Sequence, residues 1–413
     1  MALLCPDEIT QLDSADPLAS FRNRFALPEG IVYLDGNSLG PLPRETPQRL
    51  QQVVEDQWGR DLIRSWNTHG WIDLPNRVGA KIARLLGASE DEVIVADSTS
   101  VNLFKLAAAA LREMPHRRVI LTEASNFPTD LYMLQGLANF LGDGHQVRLV
   151  PPQDIEKALS EEVALLCLSQ VNFRTGALHD VASVTRAAHR HGCLVLWDLA
   201  HSAGALPVEL TAWKVDLAVG CGYKFLNGGP GAPSFAYVRR ELQDRLEQPL
   251  QGWLGHRAPF AFEPTYRPAP GIQRILCGTP PILSLVALES GVDLLLEADL
   301  TEIRAKSMAM GDFFIRLVKQ RCGDLAPGLA SPSEASHRGS QISLRHPQAF
   351  AICQAWIARG VIADFRAPDI LRCGLAPLYL SFGDLWRASQ LLGEILESEA
   401  WNRPAFFRRS SVT

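Results

Sequence analysis

Val195-Leu196-Trp197-Asp198-Leu199-Ala200-His201, answered further on by Val219-Gly220-Cys221-Gly222-Tyr223-Lys224, decides the fold of this chain. Each stretch is a short apolar run that ends abruptly in a polar residue, as a buried strand does where it leaves a sheet. Working outward, further runs of the same kind fall at 93–96, 119–121, 147–150, 163–168 and 234–237, with the two quoted stretches covering strands at 194–197 and 215–219. Helical patterns separate them, for example at 102–112 and 181–191. Strands alternating with helices predict a mostly parallel seven-stranded sheet covered by helices, an α/β fold. The last two runs are joined by a glycine-rich turn without helical periodicity, so that pair is expected to be antiparallel.

A chain of 413 residues exceeds what one hydrophobic core usually serves. The expected division is an N-terminal segment at 1–45 that packs on a small domain, a large domain at 46–281, and the small C-terminal α/β domain at 282–413. Its helix at 282–296 starts that domain or bridges to it, and 340–344 and 372–382 belong to it. The tail beyond Trp401 is polar and rich in arginine and is expected to fray. Hydrophobic content of 47%, charged content of 21% and a formal charge of -5 suit a globular protein without a basic field for nucleic acid or a polybasic membrane patch. No secretory leader and no membrane-length apolar run is read. The eight cysteines are scattered without a CxxC pair, which predicts reduced thiols and a cytoplasmic location.

The two quoted stretches carry the chemistry. Asp198 stands at a strand's carboxyl end, where open α/β sheets bind ligands, and Lys224 follows the next strand among Gly222, Gly228, Gly229 and Gly231. Singly, Asp198 reads as a helix cap and Lys224 as a solvated loop lysine. Together they match what pyridoxal phosphate requires: an amine for a Schiff base with the aldehyde, and a carboxylate that keeps the pyridine nitrogen protonated. The phosphate needs donors, and Asp97-Ser98-Thr99-Ser100 opens a helix after a strand, where backbone N–H groups face an anion. Phe127-Pro128-Thr129-Asp130 offers an aromatic face and a carboxylate.

Several segments then carry a resemblance along nearly the whole chain: LDGNSLGPLP (34–43), FPTD (127–130), DLAHSAG (198–204), GYKFLNGGPG (222–231), GTPP (278–281), RGSQISL (338–344) and GVIADFRAPDILR (360–372). On these the chain resembles the kynureninases, within the fold-type-I, aminotransferase-class-V group of pyridoxal-phosphate enzymes. One departure is Gln341, where the family often has histidine. The resemblance implies Lys224 as the Schiff-base lysine, Asp198 on the pyridine nitrogen, Asp130 and His201 near the ring, and Phe127 stacked on it. Thr99, Ser100 and Tyr223 would hold the phosphate, completed by Trp253 and Thr279 from the second subunit of a homodimer. Arg372 would clamp the substrate carboxylate as a bidentate fork, with Ser38, His69 and Gly278 also lining the substrate.

The implied reaction is hydrolysis of L-kynurenine to anthranilate and L-alanine in tryptophan catabolism and the route to NAD. Lys224 would take the Cα proton and water would add to the side-chain carbonyl before the Cβ–Cγ bond breaks. Tyr223 reads equally as a proton donor and as a phosphate ligand only. Gly278, which brings no polar partner for a ring hydroxyl, predicts 3-hydroxykynurenine as the poorer substrate. The alternatives are cysteine desulfuration, for which Cys373 is expected on a strand and not in a mobile loop, amino transfer, and a non-catalytic binding module. His189 with His191, and Asp198 with His201, form no recognisable metal-ligand set; the first two are expected on a helix surface.

Overall fold

The computed structural model describes residues 6–409. Strand β1 (Val32–Tyr33) precedes the large sheet, whose members are β2 (Val93–Ala96), β3 (Val119–Glu123), β4 (Gln146–Val150), β5 (Val163–Ser169), β6 (Leu194–Asp198), β7 (Leu217–Cys221) and β8 (Ser234–Val238). Their spatial order is β2-β8-β7-β6-β5-β3-β4. Every neighbouring pair is parallel except the two that involve β8, which runs against both β7 and β2. The seven expected runs are thus the seven strands, and the glycine-rich connection does produce an antiparallel pair.

Every residue of β2, β3, β5, β6, β7 and β8 is buried, which accounts for their continuous apolar reading. Strand β4 departs from that expectation: it is the outer edge, with Leu149 exposed and Arg148 pairing with Glu162 at 2.9 Å. Strand β7 starts two residues later than expected, because Asp216 at its entry is a fully buried anchor. Its carboxylate accepts from the Val195 N–H, and Arg239 and His189 lie 2.9 and 2.7 Å away. His189 is therefore not an idle surface histidine.

The smaller sheet combines β9 (Gly328–Leu329), β10 (Gln341–Arg345), β12 (Asp364–Arg366) and β13 (Ile370–Gly374) in the order β12-β13-β10-β9, all antiparallel; β11 (Val361–Ile362) lies between β10 and β12 in sequence. Helices Leu300–Cys322, Ala349–Ile357 and Phe382–Glu397 back this part and pack on one another through Phe313, Phe314, Trp356 and Leu392. Strand β1 does not join the large sheet. It pairs in parallel with β11, Val32 opposite Val361, in a two-stranded sheet of its own, and the Gly374 N–H at the end of β13 donates to the Leu34 carbonyl beside it.

Helix Ile282–Leu296 has its expected bounds and packs against Leu74–Leu85 and Thr46–Gln52. As far as residue 409 the tail is held in place. The Arg409 guanidinium lies 5.3 Å from the Phe350 ring and 5.7 Å from that of Phe365, and Trp401 meets Phe407 edge-on. Stacking of a cation on apolar rings supplies the anchor that a count of polar residues misses.

Candidate active site

The expected residues converge on the carboxyl ends of adjacent strands. Asp97–Ser100 follow β2, Ser125–Asp130 follow β3, Gln170–Phe173 follow β5, Asp198 closes β6 and Tyr223–Lys224 follow β7. Close packing fixes that last turn. The N–H of Gly40 donates to the Tyr223 carbonyl at 2.8 Å, and a Cβ on Gly40 would stand 2.3 Å from the Lys224 carbonyl oxygen. The LDGNSLG loop thus lies directly against the lysine turn. Lys224 Nζ is 5.9 Å from the ring centroids of both Phe127 and Tyr223.

Beneath the lysine lie two buried carboxyls, Asp198 and Asp130. Asp198 Oδ1 accepts from the Ala200 N–H at 2.8 Å, and Ser169 Oγ lies 3.3 Å from Asp198 Oδ2 and 3.4 Å from Asp130 Oδ2. Burial raises both carboxyls, but the forces on them differ. Lys224 and the Ala200 N–H hold Asp198 toward its charged form, whereas the charge of Asp198 pushes Asp130 up further, well above the carboxylate range. Of the two, Asp130 is held further toward its protonated form.

His201 is buried and held neutral, first by desolvation and then by the charges of Lys224, Arg372 and Arg366; Gln341 is its side-chain partner. Gln341 also accepts from Asn37 Nδ2 at 3.1 Å, so the residue that departs from the family pattern ties the ring site to the N-terminal loop. Burial pushes the Tyr223 phenol far above its ordinary range, with Cys221 and Asp198 adding to the effect.

The chemistry of these donors fits pyridoxal phosphate. Thr99 Oγ1 and His201 Nδ1 are closed off from solvent without a partner, a costly arrangement unless a ligand supplies one. Thr99 and Ser100 open the fifteen-residue helix Thr99–Glu113, capped by Ser98, so its N-terminal dipole faces the same place. Phe127 leaves 39% of its surface open although it meets Phe173 edge-on at 5.1 Å, and can present a face to a planar ring. A charged Asp198 suits a protonated pyridine nitrogen.

Arg372, on β13 of the smaller sheet, is buried and reaches the same region. Its Nη1 donates to the Phe173 carbonyl at 2.7 Å, its Nε to Asp364 Oδ1 at 2.8 Å and its Nη2 to Ser38 Oγ at 2.7 Å, and Nη2 also donates to Asp364 Oδ2. Ser38 and Arg372 are therefore brought together as expected. The bidentate fork is instead spent on Asp364. Arg366 Nη2 reaches Asp364 Oδ2 at 2.7 Å as well.

The other expected residues stand apart from this cluster. Trp253 is 39% exposed and stacks edge-on with Phe260 at 5.6 Å, while Gly278 and Thr279 are exposed. His69 Nε2 pairs with Asp61 Oδ2 at 2.7 Å, with no recorded contact to Lys224 among the described residues. Residues that sequence reasoning missed are Ser169, Asn126, Asn37, Asp364 and Asp35. Asp35, Asn37 and Asp364 lie inside quoted motifs, and for Asp364 a carboxylate two residues from Arg366 on a strand was the available signal.

The large sheet with its lysine and aspartate at the strand ends has the fold of the class-V aminotransferases, pyridoxal-phosphate enzymes. The family model described as "Aminotransferase class-V" matches residues 32–346, and the chain belongs to that family. Solved structures share the fold: the apo cysteine desulfurase of Thermococcus onnurineus NA1 (TM-score 0.75, 18% identity, 96% of this chain and 99% of that one) and a C-DES mutant with glycine covalently linked to its pyridoxal-phosphate cofactor (TM-score 0.79, 17% identity, 90% and 98%).

Within that class the chain is a member of the kynureninase family. The model "Kynureninase C-terminal domain" matches residues 303–392. Kynureninase of Burkholderia mallei (strain SAVP1) is 51% identical over 412 residues, covering 98% of this chain and 99% of the relative; that of Pseudomonas fluorescens is 50% identical over 407 residues, covering 97% and 98%. Desulfuration finds no nucleophile at Cys373, which is fully buried on β13 with its thiol pushed well above its ordinary range by desolvation.

Proposed function

We propose that this chain hydrolyses L-kynurenine to anthranilate and L-alanine with Lys224 as its working base, as a homodimer in the cytoplasm, in tryptophan breakdown leading toward NAD. The observation that carries the reading is a chain of contacts. Lys224 lies against Phe127, Phe127 against Phe173, and the Phe173 carbonyl accepts from Arg372. On this reading an α-amino acid held by its carboxylate beside Arg372 and Ser38 would present its Cα to the lysine amine.

Pyridoxal phosphate, when bound, would supply the electron sink for the charge left at Cα. Lys224 then takes the Cα proton, and Asp198 holds the negative charge that faces the pyridine nitrogen. Asp130, His201 and Phe127 would line the ring, and Thr99, Ser100 and the Tyr223 hydroxyl would hold the phosphate. A phenol kept firmly protonated supports the phosphate-donor role of Tyr223 over proton transfer. Water adds at the side-chain carbonyl, the Cβ–Cγ bond breaks, and a proton on Cβ completes alanine.

Trp253, Gly278 and Thr279, exposed on one chain, are available to a second subunit's site, with His69 toward the substrate's ring. The boundaries 1–45, 46–281 and 282–413 belong to this reading, with Ile282–Leu296 as the bridge. The selectivity reading is that kynurenine is preferred over 3-hydroxykynurenine. An unpartnered buried hydroxyl costs about 1–3 kcal/mol, roughly ten-fold or more in efficiency. A Cβ on Gly278 would meet nothing within 4 Å, so Gly278→Ser fits without a clash. Anthranilate and 3-hydroxyanthranilate release by both proteins tests this: Gly278→Ser should shift kcat/KM toward the hydroxylated substrate. No anthranilate from either protein would remove the function, and an unmoved ratio the role of Gly278.

A further inference from the structure

Lys105, on helix Thr99–Glu113, has no part in the mechanism, yet its side chain is 0% exposed. A buried ammonium persists only where an opposite charge and hydrogen bonds compensate it. Its Nζ is ion-paired with Asp97 Oδ2 and donates to the Ile275 carbonyl at 2.7 Å. Asp97 directly follows β2 with 31% of its side chain exposed, and among the described residues no other cation pairs with it. Its backbone lies in the left-handed region, at a φ of 47°, and its carbonyl accepts from the Ser234 N–H of β8 at 2.9 Å. Asparagine and aspartate both tolerate that conformation, so either would serve the turn. The backbone accounts for a short polar side chain at 97 but not for its charge.

Thr99 stands two residues further on, and Ser100 follows it. Two residues of chain span at most about 7 Å, less than the Debye length of about 8 Å. An uncompensated carboxylate at Asp97 would therefore oppose any anion held at Thr99 and Ser100. We propose that Lys105 is the counter-charge that makes this turn fit for a phosphate. It cancels Asp97 from within the fold, so the anion meets the helix N-terminus and two hydroxyls without an opposing charge. The inference rests on the reading of Thr99 and Ser100 as phosphate ligands. Lys105 acts through Asp97, and so is a positioning residue and not a catalytic one.

The test uses two probes that form no Schiff base with Lys224, pyridoxamine phosphate and pyridoxamine, titrated by fluorescence into the full chain freed of cofactor. In Lys105→Met the ratio of affinities, phosphorylated over unphosphorylated, should fall about ten-fold, the scale of a unit charge facing a phosphate at this separation in a half-exposed site. Adding Asp97→Asn to the same chain removes the freed charge without disturbing the turn, and the ratio should return to the wild-type value. An unmoved ratio in Lys105→Met, or a double variant no better than the single, overturns the inference. Lost packing would weaken both probes alike and would not be cured at Asp97. Should Lys105→Met fail to fold, Asp97→Asn decides alone. The ratio should then hold or rise, and a fall overturns the inference, because the carboxylate would be aiding the phosphate. Thr99→Ala separates the two readings. Equal effects on both probes there remove Thr99 from phosphate binding. Loss confined to the phosphorylated probe, with the Lys105→Met ratio unmoved, sinks only the counter-charge.

Discussion

Among single residues, Lys224 separates function from stability most cleanly. Its amine contacts two aromatic faces and makes no ion pair among the described residues, so little of the fold depends on it. Lys224→Ala is expected to keep the wild-type circular dichroism and to lose the borohydride-sensitive yellow colour of the holoenzyme. Anthranilate release should fall by at least about 10²–10⁴-fold, the usual worth of a positioned base. A coloured, active variant would take Lys224 out of the mechanism. Asp198 and Asp130 make the complementary point: burial raises both and Lys224 restrains both, but the Ala200 N–H holds Asp198 back while the charge of Asp198 pushes Asp130 further up.

At the scale of elements, the lysine turn is gripped from two sides. The LDGNSLG loop presses on it through Gly40, and helix Ile282–Leu296 through Gly291, where a Cβ would stand 2.2 Å from the Leu226 carbonyl oxygen. Gly291→Ala must displace that backbone, at about 1–3 kcal/mol of overpacking. Gly136→Ala, on the open face of helix Pro128–Leu141 with nothing within 4 Å, should instead stabilise by about 0.5–1 kcal/mol. Denaturant midpoints of the two variants should move in opposite directions, and a common direction would show that packing at Gly291 is slack. These elements differ in how far they could be read from sequence. The strands carrying Asp198 and Lys224 were legible because burial on both faces leaves a continuous apolar run with a polar stop. The edge position of β4 was not, since a short apolar run looks alike at an edge and in the middle. The anchored tail escaped because Arg409, exposed as a polar tail residue should be, still lays its guanidinium over the Phe350 and Phe365 rings. The grip of Asp364 on Arg372 was missed for another reason: adjacent antiparallel strands set them opposite each other, and register is not written in either strand alone.

For the molecule as a whole, the exposure of Trp253 bears on assembly. Mixing Lys224→Ala subunits with Trp253→Ala subunits should restore part of the activity, because a site shared across a dimer leaves each heterodimer one site with both defects and one with neither. Demonstrated subunit exchange without recovery would confine Trp253 to its own chain's site, or make it dispensable. The pairing of Val32 with Val361 also imposes an order on birth at the ribosome. The large sheet is complete once residue 238 has emerged, so the lysine turn can form early. The loop bearing Asp35 and Ser38, made first, finds its partner strand only when residue 361 and then Arg372 appear. Such a late, distant closure is slow by nature. A nascent chain arrested before β11 would carry the lysine and its aspartate yet have nothing to hold a substrate, so the earliest-made part of the pocket is the last to become useful.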